Sequence, residues 1–160
     1  MRSGESLKML GFIFSSRPTV KAHVQALIKR LRSRLWIIRH LKEACFTQEE
    51  LVKVYKSIIR PVHDYLCVVY HAMMTDEQDE QVERIQSQAL KAIYGWKLPY
   101  AELRARAGVS TLRQRRVELT DKFAASSMKN PRFSHWFPLV EGVRRSRRGC
   151  LLYTSPSPRD

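Results

Sequence analysis

The 160-residue sequence has no long apolar run and only three cysteines. No apolar segment approaches the roughly 20 residues that a membrane-spanning helix needs, and the stretch after residues 1–5 is too short for a secretory signal. Cys45, Cys67 and Cys150 show no spacing typical of a disulfide framework. We therefore expect free thiols and a cytoplasmic or nuclear protein that is neither secreted nor inserted in a membrane.

Acidic residues are scarce relative to basic ones. Asp and Glu number 15 against 29 Lys and Arg, so the net charge is +14. Residues 141–160 carry five Arg and two acids, so the rest of the chain keeps +11. Such an excess favours binding to a polyanion, with nucleic acid ahead of an anionic membrane.

Apolar residues recur at helical spacing along most of the chain, which predicts a mainly α fold. One short β-strand over 7–14 precedes a bundle of about five helices. The predicted helices cover 18–43, 47–73 with a kink or break at Pro61, 75–94, 99–107 and 110–129. Thr47 with Glu50 forms a capping box, and Ser110 is the predicted cap of the last helix. That helix is expected to bury Leu112, Leu119, Phe123 and Met128.

The end of the chain differs in composition from the rest. Residues 140–160 are rich in Arg and then in Ser and Pro, which predicts a disordered tail. The closing CLLYTSPSPRD also resembles translated sequencing-adapter read-through, so its native origin stays open.

Four stretches follow one another in a fixed order. They are LGF at 10–12, VYKSIIRPV at 54–62 continuing to Tyr65, VERIQ to ALKAIYG at 82–95, and NPRFSHWFP at 130–138. Together they resemble the segment downstream of the catalytic palm in reverse transcriptases of LINE-type (non-LTR) retrotransposons. The jockey-like and RTE-like RNA-directed DNA polymerases are the most similar kinds.

The resemblance implies a division of the chain into three parts. Residues 1–15 would be the remnant of the last palm strand, 16–139 a thumb-like helical domain, and 140–160 a tail. In the family, the thumb closes over the template–primer duplex and grips its backbone. The implied partners are therefore an RNA–DNA or RNA duplex and an upstream palm domain.

Catalysis in this family requires carboxylates that hold two metal ions. The family provides them through an upstream Asp and a Tyr-x-Asp-Asp turn, and this sequence contains no adjacent Asp pair. We predict no catalytic residue, no metal, no cofactor and no enzymatic activity from this chain alone. His63, Cys67 and His71 are spaced for one face of a helix and could bind a metal ion, but packed side chains are the favoured interpretation.

The candidate nucleic-acid-binding residues lie on the first and last helices. Between Arg17 and Lys42 the first helix carries eight Lys and Arg and no acid. Its candidates, on or beside the face opposite the apolar stripe, are Lys29, Arg32, Trp36, Arg39 and His40. Arg32, Trp36 and His40 stand four residues apart and can form a ladder of cations and an aromatic ring.

A second basic cluster, Arg113, Arg115 and Arg116, opens the last helix, where positive charge opposes the helix dipole. This placement indicates an anionic partner. The acidic start of the third helix, 76–83, is an intramolecular candidate, although a solvated face is the favoured interpretation.

Two classes of function stay open. The chain is either a polymerase-derived module that contacts nucleic acid, or a non-functional helical remnant of a decayed mobile element. A stand-alone basic interaction module is a further alternative.

Overall fold

The computed structural model describes residues 6–15 and 20–133, and the mainly α prediction is confirmed. Predictions for Pro18 and for 134–160 fall outside the described residues. The elements are β1 (Ser6–Met9), β2 (Phe12–Ser15), α1 (Lys21–Glu43), α2 (Gln48–Val54), a π-helical turn (Tyr55–Ile59), α3 (Arg60–Asp64), α4 (Cys67–Tyr70), a 3₁₀ turn (His71–Met73), α5 (Asp76–Tyr94), α6 (Tyr100–Ala107) and α7 (Leu112–Lys129).

The described residues fall into two compact units. One lies within 1–122 and the other within 123–160, so the boundary falls inside α7. The hairpin and helices α1 to α6 therefore belong to one unit.

The segment expected to be one strand is an antiparallel hairpin in which Leu7 pairs with Phe14 and Met9 with Phe12. Leu10 and Gly11 form its turn with φ values of 48° and 83°, the positive φ that a tight hairpin turn requires at both central positions. Because leucine rarely adopts this conformation, the turn could not be recognised from residue types. The ring of Phe12 stacks on His23, with 4.3 Å between centroids.

The core of the first unit forms where α1 packs along α5. The apolar stripe predicted for the first helix is buried throughout, as is that of the third helix. Each large apolar side chain contributes about 1.5–3 kcal/mol when fully buried. The members of these two stripes are Val20, Val24, Leu27, Ile28, Leu31, Leu35 and Ile38, and Val82, Ile85, Ala89, Leu90 and Ile93.

The helix boundaries follow the capping rules with one correction. The Thr47–Glu50 capping box is confirmed, and Thr75 forms another with Gln78. The last helix, however, is capped by Thr111. Its hydroxyl accepts the Gln114 amide at 3.1 Å, while the Thr111 amide donates to the Gln114 side chain at 3.2 Å. Ser110 was wrongly expected in this role.

The predicted interruption at Pro61 is more extensive than one kink. Proline lacks an amide hydrogen and its ring crowds the carbonyl four residues earlier. The chain responds with the π turn, in which the Arg60 amide donates to the Tyr55 carbonyl. After α3, Leu66 adopts a φ of 57° and separates α3 from α4.

Two predictions about which side chains of α7 are buried were wrong. Phe123 and Met128, expected to point inward, are exposed, whereas Leu112 is buried.

Within 6–15 and 20–133, no helix is both long and apolar enough to cross a bilayer.

Candidate nucleic-acid interface

The candidate residues of α1 share one solvent-facing side of the helix. Lys29, Arg32, Trp36, Arg39 and His40 are all exposed. Trp36 is 56% exposed although it is a large aromatic residue. Its ring meets that of His40 edge to face with 5.0 Å between centroids. The ladder expected from the four-residue spacing is present at this step.

The candidate Lys and Arg side chains on this face have no acidic partner in the described parts of the chain. In the part of the chain that the structure describes, no carboxylate lies within 4.0 Å of the charged groups of Lys29, Arg32 or Arg39. His40 alone among the five candidates approaches an acid, Glu43, at 3.9 Å between two exposed side chains. The face is a row of solvated positive charge around an exposed indole.

Two other basic residues of α1 have structural roles. Arg34 donates to the carbonyl of Ile58 at 2.7 Å. The Lys42 ammonium donates to the carbonyls of Ala92 and Ile93 at 2.7 and 3.1 Å. Those carbonyls end α5, where free acceptors and the negative end of the dipole favour a cation.

The basic cluster of α7 is engaged within the molecule. Arg116 is 1% exposed, donates to Asp79 and places Nη1 3.1 Å from Nε2 of His63. A side chain so buried cannot contact an external polymer, so its inclusion among the nucleic-acid-binding residues was wrong. The acidic start of α5 is its partner, which confirms the intramolecular alternative for this residue.

The other two arginines of this cluster are also paired. Arg113 approaches Asp76 at 3.2 Å and Asp79 at 3.6 Å while remaining 63% exposed. Arg115 is 27% exposed and pairs with Asp64 at 3.1 Å and Glu118 at 3.6 Å. These pairs fasten the start of α7 to α3 and α5. The α1 face is therefore the basic face whose candidate Lys and Arg are unpaired among the residues that the structure describes.

His63 lies at the centre of a buried polar cluster. Its Nδ1 is 3.1 Å from Asp64, and its carbonyl accepts the Tyr70 hydroxyl at 2.5 Å. Burial lowers the pKa of this imidazole, while the hydrogen bond to Asp64 acts in the opposite direction. A neutral ring fits these partners: Nδ1 donates to Asp64 and Nε2 accepts from Arg116, a tautomer assigned from the partners.

The residues of the histidine–cysteine spacing do not lie on one continuous helix. Leu66 breaks the helix between His63 and Cys67, so the assumed single face does not exist. Both of these side chains are buried. Among the described residues, no group of three or more His, Cys, Asp or Glu is arranged to hold a metal ion.

Sequence reasoning missed a second buried network centred on Gln86. This side chain is 1% exposed and donates to the Tyr100 hydroxyl at 2.8 Å and the Ser110 carbonyl at 3.0 Å. The Tyr55 hydroxyl donates to it in turn at 2.5 Å. A glutamine beside an apolar stripe carries no pattern that distinguishes it from a surface residue.

A second exposed tryptophan was also missed. Trp96 follows the end of α5, is 69% exposed, and lies 5.5 Å from the Lys91 ammonium, measured to the ring centroid. Its only sequence mark is its position directly after Gly95, which ends α5.

Comparison with protein-family models, curated proteins and solved structures found no match. The geometry of the site is therefore the basis for assigning a function.

Proposed function

We propose that the exposed face of α1 binds the phosphate backbone of a nucleic-acid duplex. In this proposal the chain is the thumb-like C-terminal part of a non-LTR retrotransposon RNA-directed DNA polymerase. The observation that carries the proposal is the row formed by Lys29, Arg32 and Arg39, whose charges have no carboxylate neighbour among the described residues.

The contrast with α7 gives this observation its weight. All three arginines at the start of α7 are paired with acids, whereas the α1 cations lie on one helix face and repel one another. Like charges one turn apart cost a helix a few tenths of a kcal/mol. This arrangement does not stabilise the fold, but it favours binding of a polyanion, because binding releases the counterions condensed on the phosphates.

The dimensions and the aromatic residue support the same ligand. From Lys29 to His40 the helix rises roughly 16 Å at about 1.5 Å per residue. One strand of a duplex carries about five phosphates over that length. The exposed ring of Trp36 offers a flat apolar surface to a sugar or a terminal base.

We infer that the chain alone has no polymerase activity, because its sequence lacks an adjacent Asp pair. Its partners would be a duplex and a palm domain, in the cytoplasm or the nucleus. Metal-dependent primer extension by the purified chain would contradict this part.

The test measures binding of a labelled RNA–DNA duplex by fluorescence anisotropy between about 50 and 200 mM salt. The variant combines Lys29→Ala, Arg32→Ala and Arg39→Ala. Each lost phosphate contact lowers the slope of log K against log salt by about 0.9, so we expect a loss of nearly three units.

A matched control combines Arg84→Ala, Arg106→Ala and Lys129→Ala, which removes the same charge from other exposed positions. We expect its salt slope to change by less than about one unit. Equal losses in both variants would indicate a stand-alone basic module with diffuse charge. No binding by the parent chain at about 50 mM salt would indicate a non-functional remnant.

A further inference from the structure

The end of α5 presents an aromatic ring to solvent in a basic setting. Gly95 turns the chain out of the helix with a φ of 102°, which places Trp96 where 69% of it is exposed. Lys91, one turn earlier, holds its ammonium 5.5 Å from the centroid of the ring. A cation near the indole adds attraction at this distance and leaves much of the ring surface open.

Along the chain, the charges on either side of Trp96 are of one sign. Residues 85–101 contain Lys91 and Lys97 and no acid. Lys42 of α1 reaches the same end of α5, with its ammonium 2.7 Å from the Ala92 carbonyl. An anion that approaches Trp96 therefore meets ammonium groups from two helices and from the following loop.

We propose that Trp96, Lys91 and Lys97 form a second nucleic-acid site that binds a single strand. An unpaired base stacks on the open part of the indole, and the two ammonium groups contact the flanking phosphates. The internal bases of a duplex are already stacked on one another on both faces and cannot make this contact. The site therefore differs from the α1 face in the form of nucleic acid that it selects.

The chemistry of the site favours this ligand over an apolar surface. A single indole next to ammonium groups offers little contiguous apolar area, as the neighbouring Lys97 is itself exposed. Stacking on an aromatic ring with phosphate neutralisation by lysine is, in contrast, the usual combination in single-strand binding. The inference does not depend on the α1 proposal, because it uses other residues.

The experiment uses Trp96 as its own reporter. The chain has three tryptophans, so Trp36→Phe with Trp136→Phe leaves Trp96 as the sole emitter. We expect a single-stranded RNA of about 12 nucleotides without self-complementarity to quench this emission. An unchanged emission at saturating RNA would overturn the proposal. A spectral shift with anionic vesicles but not with RNA would overturn it in favour of a membrane surface.

Affinity measurements on the full chain complete the test. Trp96→Ala should weaken binding of the single strand about tenfold and binding of the duplex less than about twofold, and Trp96→Phe should restore most of the affinity. Lys91→Gln with Lys97→Gln should lower the salt slope for the single strand by about 1.4, because each phosphate contact to a single strand contributes about 0.7. Arg84→Gln with Arg106→Gln removes the same charge and should lower it by less than about one unit. Single-strand affinity unaffected by Trp96→Ala would contradict the site.

The failure of this site and the failure of the α1 proposal can be told apart. The variant that lacks Lys29, Arg32 and Arg39 should lose duplex binding and still allow RNA to quench Trp96. If duplex binding fails in the parent chain but the quenching persists, the second site stands alone.

Discussion

Arg113 and Arg116 lie one turn apart on α7 and contact the same carboxylate, yet their surroundings differ. Arg113 is 63% exposed and approaches Asp79 at 3.6 Å. Arg116 is 1% exposed and shares its guanidinium between Asp79 and His63. A solvent-exposed ion pair adds little to the free energy of unfolding, because water solvates both charges almost as well when they are apart. Removing one member of a buried ion pair leaves an uncompensated charge in the interior.

This difference predicts unequal effects of two identical substitutions. Arg116→Met should lower the free energy of unfolding by about 3–5 kcal/mol, because Asp79 loses its buried partner. Arg113→Met should lower it by less than about 1 kcal/mol. Urea denaturation near pH 7 measures both. Similar small losses would show that Arg116 is solvated, and partial recovery on adding Asp79→Leu would show that the stranded carboxylate is the cause.

His63 makes the stability of the fold sensitive to acid. Burial lowers the pKa of this ring in the native protein, while the unfolded chain protonates near pH 6.5. Stability from this group is therefore complete above about pH 6.5. It decreases by up to about 1.4 kcal/mol per pH unit below that value, until the native ring also gains a proton.

Unfolding at about pH 7.5 and about pH 5.5 tests this dependence. His23 and His71, whose pKa values burial also lowers, act in the same direction. Burial raises the pKa of Asp64, but hydrogen bonds from His63 and Arg115 lower it on balance, so that group titrates below this range. His63→Gln should reduce the pH dependence, because the glutamine amide does not titrate in this range. The amide can still donate to Asp64 and accept from Arg116, so the variant keeps both contacts. An unchanged dependence would assign the effect elsewhere.

At the scale of elements, the start of α7 shows how local and tertiary contacts divide between neighbouring residues. Thr111 and Gln114 exchange the two hydrogen bonds of a capping box. Ser110 instead contacts other elements: its hydroxyl accepts from Arg60 at 3.3 Å and its carbonyl accepts from Gln86 at 3.0 Å. The Leu112 amide donates to Glu83 of α5 at 2.9 Å, which also satisfies a free donor at this end.

Substitution of the two hydroxyl residues distinguishes their roles. Thr111→Ala should lower the free energy of unfolding by about 1 kcal/mol, because an amide at the helix start loses its acceptor. Ser110→Ala should cost less than about 0.5 kcal/mol, since the bond that it removes is long. Thermal denaturation followed by circular dichroism measures both, with Thr111→Ser as the conservative control. The reverse order would restore Ser110 as the cap.

At the scale of the whole molecule, the charge of +14 is distributed among different roles. The arginines at the start of α7 are paired, and Lys42 and Arg34 are bound to carbonyls. Lys29, Arg32 and Arg39 of α1 have no carboxylate partner within residues 6–15 and 20–133. Net charge alone does not locate a binding face, because each of these groups counts equally in it.

A truncation provides a test at this scale. A chain ending at residue 139 and the full chain with Lys29→Ala, Arg32→Ala and Arg39→Ala both carry +11. If the α1 face binds the duplex, the truncated chain keeps a salt slope within about one unit of the parent, while the triple variant loses nearly three. Salt titrations of duplex binding measure both. The opposite ranking would place the binding charge in 140–160.

The long helices could be predicted because their information is local. The stripe of α1 from Val20 to Ile38 and the Thr47–Glu50 cap repeat at helical spacing, which any amphipathic helix shows. The hairpin was not predicted, since its turn uses Leu10 at positive φ. Of the candidate site, the exposure of the α1 residues was predicted correctly, and the accessibility of Arg116 was not.

The sequence by itself determined the long helices α1, α5 and α7, the apolar faces of α1 and α5, and the clustering of basic residues on α1 and at the start of α7. Only the tertiary structure decided which of those clusters is available, because α5 and α3 bring carboxylates to α7 and none to the α1 face within the described residues. Helical periodicity depends on neighbours three and four positions away. Charge pairing between helices depends on residues more than thirty positions apart, which packing alone brings together.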